Sequence, residues 1–232
     1  KDRGIPVCNI PDYGVHEVAE HAVSLGLALA RQLPMIDARL RVGIWKITPD
    51  RPMPSLSEMT FATAGFGRIA RAAHTMMSGF GGKRIAYDPF VSAEDMEKAG
   101  VKKVQIDELF THADILSLHL PLNEETKHLV NAERLAAMKK TAIVVNTARG
   151  PLIDTAALAA ALESEEIAGA GVDVFEEEPL PDDHPLRTAK HALLTSHVAW
   201  YSESSIPRLQ QLAVEEVVRG LQGEPVKNQV NK

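Results

Sequence analysis

Apolar positions along this chain keep changing their spacing. From residue 59 to 198, short apolar runs alternate with stretches in which apolar residues recur at helical intervals. The runs at 59–64, 83–87, 102–105, 114–118, 141–146, 168–174 and 192–195 predict strands. Ile115-Leu116-Ser117-Leu118 and Ala142-Ile143-Val144-Val145 are nearly unbroken, as strands covered on both faces are. Between the runs, 68–79, 92–99, 106–112, 131–138 and 154–163 predict helices. Asn131 with Arg134 and Asp154 with Leu158 open two of them, Asn and Asp being good caps. Such alternation implies an α/β fold, a doubly wound parallel sheet with right-handed crossovers. Its chemistry should gather at the carboxyl ends of the strands.

The flanks read differently. Residues 16–42 predict one long helix, with Val18, Ala22, Leu25, Leu29 and Leu33 at helical spacing and a kink or break at Pro34. Residues 47–58 hold three prolines and no clear period, so they predict a loop. A final amphipathic helix is expected over 204–222, ending at Gly223 before Pro225, followed by a polar tail, Lys227 to Lys232. Gly4 to Ile10 is strand-like and follows Lys1 directly, as an entry in mid-protein would.

Composition narrows the function. Only 5% of residues are aromatic, so the core must be built mainly from Ala, Val, Leu and Ile. A net charge of −6 argues against nucleic acid as a primary ligand, since phosphate contacts need clustered Lys and Arg. No apolar run approaches a membrane span, no secretory leader is evident, and no metal-ligand pattern is present. Cys8 is the only cysteine and reads as a small buried apolar residue. No internal disulfide is possible, which suits a reducing, cytoplasmic setting.

One loop carries specific chemistry. Gly65-Phe66-Gly67-Arg68-Ile69-Ala70 falls between the strand at 59–64 and the helix at 68–79, and the next strand ends at Asp88. The first glycine suits a tight turn, the second close approach of a pyrophosphate, and the third small residue helix–strand packing. Phosphates would rest on amides at the helix N-terminus. An acid at that distance suits a ribose 2′-hydroxyl and repels a 2′-phosphate, which selects NAD over NADP. The two threonines of the first strand, Thr60 and Thr63, stand where aliphatic residues are usual.

Three ionisable residues follow predicted strands: Arg149 after Val144-Val145-Asn146, Glu178 after Val172-Asp173-Val174-Phe175, and His197 after Leu193-Leu194-Thr195. Hydride transfer to a 2-oxo acid needs a cation for the carboxylate and C2 oxygen, which Arg supplies bidentately. It needs a proton donor and acceptor working near neutral pH, which suits His, and a carboxylate to orient that imidazole. The cofactor carries the hydride.

In this order, Gly65-Phe66-Gly67-Arg68-Ile69, Asn146-Thr147-Ala148-Arg149-Gly150, Asp173-Val174-Phe175-Glu176-Glu177-Glu178-Pro179 and Thr195-Ser196-His197 resemble the D-isomer-specific 2-hydroxyacid dehydrogenases over nearly the whole chain. His197 to Glu203 and the ending Lys227 to Lys232 resemble the C-terminal-binding-protein-like branch. The resemblance implies that Arg149 binds substrate, His197 is the acid–base, and Glu178, directly before Pro179, is its partner rather than Glu176 or Glu177. It implies amides of Arg68 and Ile69 on the pyrophosphate and Asp88 on the adenine ribose. Asp173 would meet the nicotinamide carboxamide near Thr147 and Ala148, while His119, Leu120, Pro121 and Thr126 line the middle of the cofactor. Trp200 would lie by the substrate pocket or pack at the cleft edge, and the helix at 16–42 would form a homodimer. Ala70 stands where Gly is usual, and Ser196 where Pro is usual, before the histidine.

The implied organisation is residues 1–13 as the last strand and linker of a smaller, flavodoxin-like substrate domain, 14–199 as the Rossmann-type NAD-binding domain, and 200–232 as the helix returning to the first. Family members are usually a third longer, so most of the substrate domain is expected to be absent. The leading expectation is an NAD-dependent oxidoreductase acting on a D-2-hydroxy acid. The alternatives are a non-catalytic, NAD-responsive interaction protein of corepressor type, and an NADP-dependent glyoxylate or hydroxypyruvate reductase, which Asp88 opposes.

Overall fold

The computed structural model describes residues 4–49 and 51–231; Lys1 and Lys232, at the ends of the sequence, lie outside it. Its elements run α1 (Val15–Ala30), α2 (Leu33–Arg41), β1 (Thr60–Ala64), α3 (Arg68–Met77), β2 (Lys83–Tyr87), α4 (Ala93–Lys98), β3 (Lys102–Lys103), α5 (Ile106–His112), β4 (Ile115–Leu118), α6 (Ala132–Ala136), β5 (Ile143–Asn146), α7 (Thr155–Glu163), β6 (Gly169–Val172), β7 (Ala192–Leu194) and α8 (Ser205–Leu221). The chain divides into two compact units, Ala19–Ala199 and the segments on either side of it.

The larger unit is built on a seven-stranded sheet in the order β3-β2-β1-β4-β5-β6-β7, parallel at every pairing. Strand order reverses between β1 and β4, which opens a crevice at their carboxyl ends. Alternate side chains feed two cores. Phe61, Ile115, Ile143 and Val145 pack against α1 and α3 through Ala22, Leu25, Leu29, Ala73 and Met77. Ala62, Ala64, Leu116, Leu118 and Val144 face Leu109, Leu135, Leu158 and Leu162 of α5, α6 and α7.

Thr63 and Ser117 lie side by side in the β1–β4 register and are fully buried. Thr63 Oγ1 meets His74 Nε2 of α3 at 3.0 Å, and Ser117 Oγ meets His119 Nε2 at 2.9 Å. Thr60, the other threonine of β1, donates its backbone N–H to the Asp114 carboxylate. The fully buried hydroxyls of Thr63 and Ser117 are tolerated because each has a hydrogen-bond partner.

The predicted long helix is two helices. The chain turns at Gln32, whose φ of 53° is left-handed, and Pro34 occupies the first turn of α2, where its missing N–H costs nothing. The break thus precedes the proline. The apolar face of α1 is spent inside the unit: a Cβ on Gly171 would lie 2.9 Å from Leu25 Cβ, so the glycine of β6 is what lets α1 seat on the sheet. No residue of α2 is buried. Asn131 accepts from Arg134 N–H as expected, whereas Asp154 caps through Ala157 N–H, and Leu158 N–H goes to the Asp154 carbonyl.

In the smaller unit, Glu17 accepts from Ser202 Oγ and pairs with Arg208 at 3.2 Å. Residues 5–9 meet the tail: Val230 N–H donates to Val7 O, Asn9 N–H to Asn228 O, and Cys8 pairs antiparallel with Gln229. Cys8 is half-buried there rather than buried. Trp200 stacks edge-on against Tyr13 and Tyr201.

Candidate active site

Arg149, Glu178 and His197 lie on the loops after β5, β6 and β7, three neighbouring strands of one parallel sheet. All three are exposed. Each loop is held by a buried residue near its strand end. Asn146, at the end of β5, accepts from Ala148 N–H and donates its amide to Arg149 O, which shapes the Arg149 turn. Gly150 then passes so close to the next loop that a Cβ would lie 1.9 Å from the Phe175 carbonyl. No larger residue fits, and the Arg149 and Glu178 loops are thereby locked together.

Asp173 is fully buried just past β6 and organises the third loop. Its carboxylate accepts from Thr195 Oγ1 at 2.6 Å and from the backbone N–H groups of Val198 and Ala199 at 3.0 Å, while its carbonyl accepts from His197 N–H. His197 sits at φ 55°, a left-handed conformation that a non-glycine residue adopts only when its surroundings impose it. Among the described contacts, Asp173 thus serves the backbone around His197.

Of the three consecutive glutamates, Glu178 meets the histidine: His197 Nδ1 to Glu178 Oε2 is 2.7 Å. Burial pushes the Glu178 carboxyl up, but the hydrogen bonds from His197 and from Phe175 N–H outweigh it and leave the acid below its ordinary range. Glu176 goes elsewhere, to His128 Nε2 at 2.7 Å and to the Thr155 hydroxyl. An apolar-walled cavity of about 880 Å³ opens on the pair, lined by Phe175, Pro179, Leu180, Leu194 and Val198, with Arg187 at its edge.

At the crevice between β1 and β4, Gly65 has a φ of 96°, and a Cβ there would lie 2.7 Å from His119 O. Both facts demand glycine. Helix α3 opens with Gly67 as N-cap and no side-chain cap, and nothing lies within 4 Å of where a Gly67 Cβ would project. This open cradle beside the first-turn amides of Arg68 and Ile69 fits a pyrophosphate. Asp88 closes the loop from β2, with Oδ2 accepting from Phe66 N–H and Oδ1 from Phe90 N–H. Thr147 Oγ1 is buried with no hydrogen-bond partner, an orphan acceptor and donor after β5. After β4, Thr126 spends its hydroxyl on Pro121 O and the Asn123 turn, fixing the Leu120-Pro121 segment. The residues present fit a dinucleotide.

Some groups escaped the sequence reading. His21 of α1 contacts Thr195 across 174 residues, a pairing no local pattern announces. His74 sits within an ordinary amphipathic helix, yet burial, then the charges of His119 and Arg84, hold it down at about 3. Burial alone holds His119 at about 4.

A parallel sheet with a glycine cradle at its switch point and an Arg, a Glu–His pair and an apolar cavity on the same edge defines a dinucleotide-dependent dehydrogenase. Residues 23–199 match the NAD-binding domain of the D-isomer specific 2-hydroxyacid dehydrogenases, and the chain belongs to that family. It is 37% identical to a hydroxypyruvate reductase of Blautia hydrogenotrophica, over all of this chain and 73% of the relative. With a glyoxylate reductase of Korarchaeum cryptofilum it shares 40% identity over 99% of this chain and 70% of that one. The D-lactate dehydrogenase of Lactobacillus jensenii, solved with NAD+, superposes with a TM-score of 0.90 at 28% identity, covering 100% of this chain and 73% of the other.

Proposed function

We propose that this NAD-dependent 2-hydroxyacid dehydrogenase reduces a short 2-oxo acid to the D-hydroxy acid, and runs the reverse, with Arg149, Glu178 and His197 in the roles their chemistry suits. The observation that carries it is the 2.7 Å contact between His197 Nδ1 and the low-lying Glu178 carboxylate, on the sheet edge that Arg149 shares. NADH, when bound, supplies the hydride. Gly67 and the amides of Arg68 and Ile69 hold its pyrophosphate, Asp88 the adenine ribose, and Thr147, Ala148 and Asp173 border the nicotinamide. His119, Leu120, Pro121 and Thr126 line the stretch between.

Arg149 grips the substrate carboxylate and polarises the C2 oxygen. Glu178 engages Nδ1, so the proton given to that oxygen is carried at Nε2 of His197. As the imidazole gives up its proton, the neighbouring carboxylate keeps its ring oriented for the next cycle. The names of the two relatives favour glyoxylate and hydroxypyruvate as first substrates to try. An intact Glu–His pair supports turnover over a purely NAD-responsive interaction role, and the likeness of His197 to Glu203 to the corepressor branch stands as a resemblance of sequence.

NADH oxidation should be followed with a panel of 2-oxo acids that includes glyoxylate, hydroxypyruvate and pyruvate. Arg149→Ala should lower kcat/KM at least 100-fold, on the order of 3 kcal/mol of transition-state binding, while NADH still quenches intrinsic fluorescence. Equal loss of turnover and NADH binding counts against the role of Arg149. No turnover with any acid, despite tight NADH binding, favours the interaction role. A kinetic preference for NADPH reverses the assignment to Asp88.

A further inference from the structure

We propose that His21 is a positioning residue for His197, acting from α1 through Thr195 and Asp173; the proposal rests on the acid–base role assigned to His197. Thr195 has one hydroxyl proton, and the 2.6 Å contact with Asp173 Oδ1 takes it. Asp173 is a carboxylate held by two backbone amides besides, and it can only accept. The Thr195 oxygen must therefore accept from His21 Nε2, 2.9 Å away, which fixes His21 as a donor at that nitrogen. The same nitrogen lies 3.6 Å from Asp173 Oδ1, so His21 faces the buried carboxylate as well as the hydroxyl.

The chain of contacts has a direction. Asp173 carries Thr195, Val198 and Ala199 on its side chain and His197 on its carbonyl, and this one residue holds the left-handed turn from which His197 reaches Glu178. With His21 gone, Thr195 can swing its hydroxyl away and one of the carboxylate's three donors is lost. The turn is then free to relax toward the ordinary backbone region, which moves the imidazole off Glu178. A displacement of that kind weakens the chemical step more than it weakens binding, because the cofactor- and substrate-holding roles proposed above fall on other residues than His21.

The test compares His21→Leu and His21→Gln, the latter placing an amide N–H near the position of Nε2. With glyoxylate and NADH, His21→Leu should lower kcat by about 10- to 100-fold, the cost of misplacing a reacting group by a fraction of an ångström to one ångström. KM values for both substrates should stay within about twofold, the signature of a loss confined to the transition state. His21→Gln should recover most of the rate. Independently of activity, the His197 Cε1–H resonance should be one sharp line in the wild type and in His21→Gln, and broadened or split in His21→Leu. If His21→Leu does not fold, His21→Asn, too short to reach Thr195, carries the same expectations. Wild-type kcat and a single sharp line in the variant that cannot reach Thr195 overturn the proposal, as does a Gln variant no better than the Leu variant. A wild type with no turnover on any oxo acid overturns the dehydrogenase reading instead, and the resonance still decides the placement of His197.

Discussion

Asp88 has an observed structural role and a proposed cofactor role, and the two separate experimentally. Spacing placed it at the end of β2, and its chemistry suggested a ribose hydroxyl. The structure adds that both its oxygens hold backbone amides, Phe66 N–H in the glycine loop and Phe90 N–H beyond the strand. Asp88→Asn turns one acceptor into a donor facing an N–H. Losing a hydrogen bond to a buried charged group should cost about 2–3 kcal/mol, so the urea midpoint should fall in the absence of any cofactor. An unchanged midpoint with weaker NADH binding would confine Asp88 to the ribose. That Glu178 rather than Glu176 or Glu177 meets His197 was implied by the family resemblance, through the proline after it. The hold of Asp88 on Phe66 N–H and of Asp173 on Val198 and Ala199 was not legible, because these contacts join residues 22 to 26 positions apart whose approach only the sheet dictates.

Among elements, strands β4 and β5 and their neighbours were readable because burial on both faces leaves an apolar run that little else produces. Strand β3 shrinks from the expected four residues to Lys102–Lys103, an edge strand with a single pairing neighbour. Helix α3 carries the least expected feature, the neutral His74 wedged between Thr63 and the rings of Phe61 and Phe66. Its folded pKa of about 3 lies below the ordinary 6.5, so the unfolded chain takes up the proton first as pH falls. Stability is full above pH 6.5 and should decline between 6.5 and 3 by about 1.4 kcal/mol per pH unit for this histidine. Urea titrations at pH 8, 6 and 5 should show that decline, and His74→Gln, which cannot charge, should roughly halve it, because His119, held at about 4, contributes the same slope over that range. A variant with an undiminished slope assigns the acid sensitivity to other groups.

For the molecule as a whole, the apolar content of residues 16–42 divides in two. Helix α1 spends its share on the sheet, whereas Leu33, Leu40, Val42, Ile44, Trp45 and Ile47 of α2 and the following loop are exposed, Trp45 by 80% and Ile47 by 91%. The homodimer expected from the resemblance is therefore best sought on 33–47 rather than on α1. Light scattering should give about twice 25.2 kDa for the wild type and a single chain mass for Trp45→Asp with Ile47→Asp. A wild-type monomer at micromolar concentration removes that surface from consideration. No sequence pattern could divide the helix this way, since apolar spacing marks a face and not what covers it. The hold that Asp173 exerts on residues 195–199 has a consequence of its own: it grips Val198 and Ala199 by their amides and leaves the side chains of Ser196 and Val198 facing the cavity. With His197 as the proposed proton donor, changes at those two side chains would reshape the cavity wall while the turn that carries the imidazole stays put, so preference among oxo acids could be retuned without relearning the chemistry.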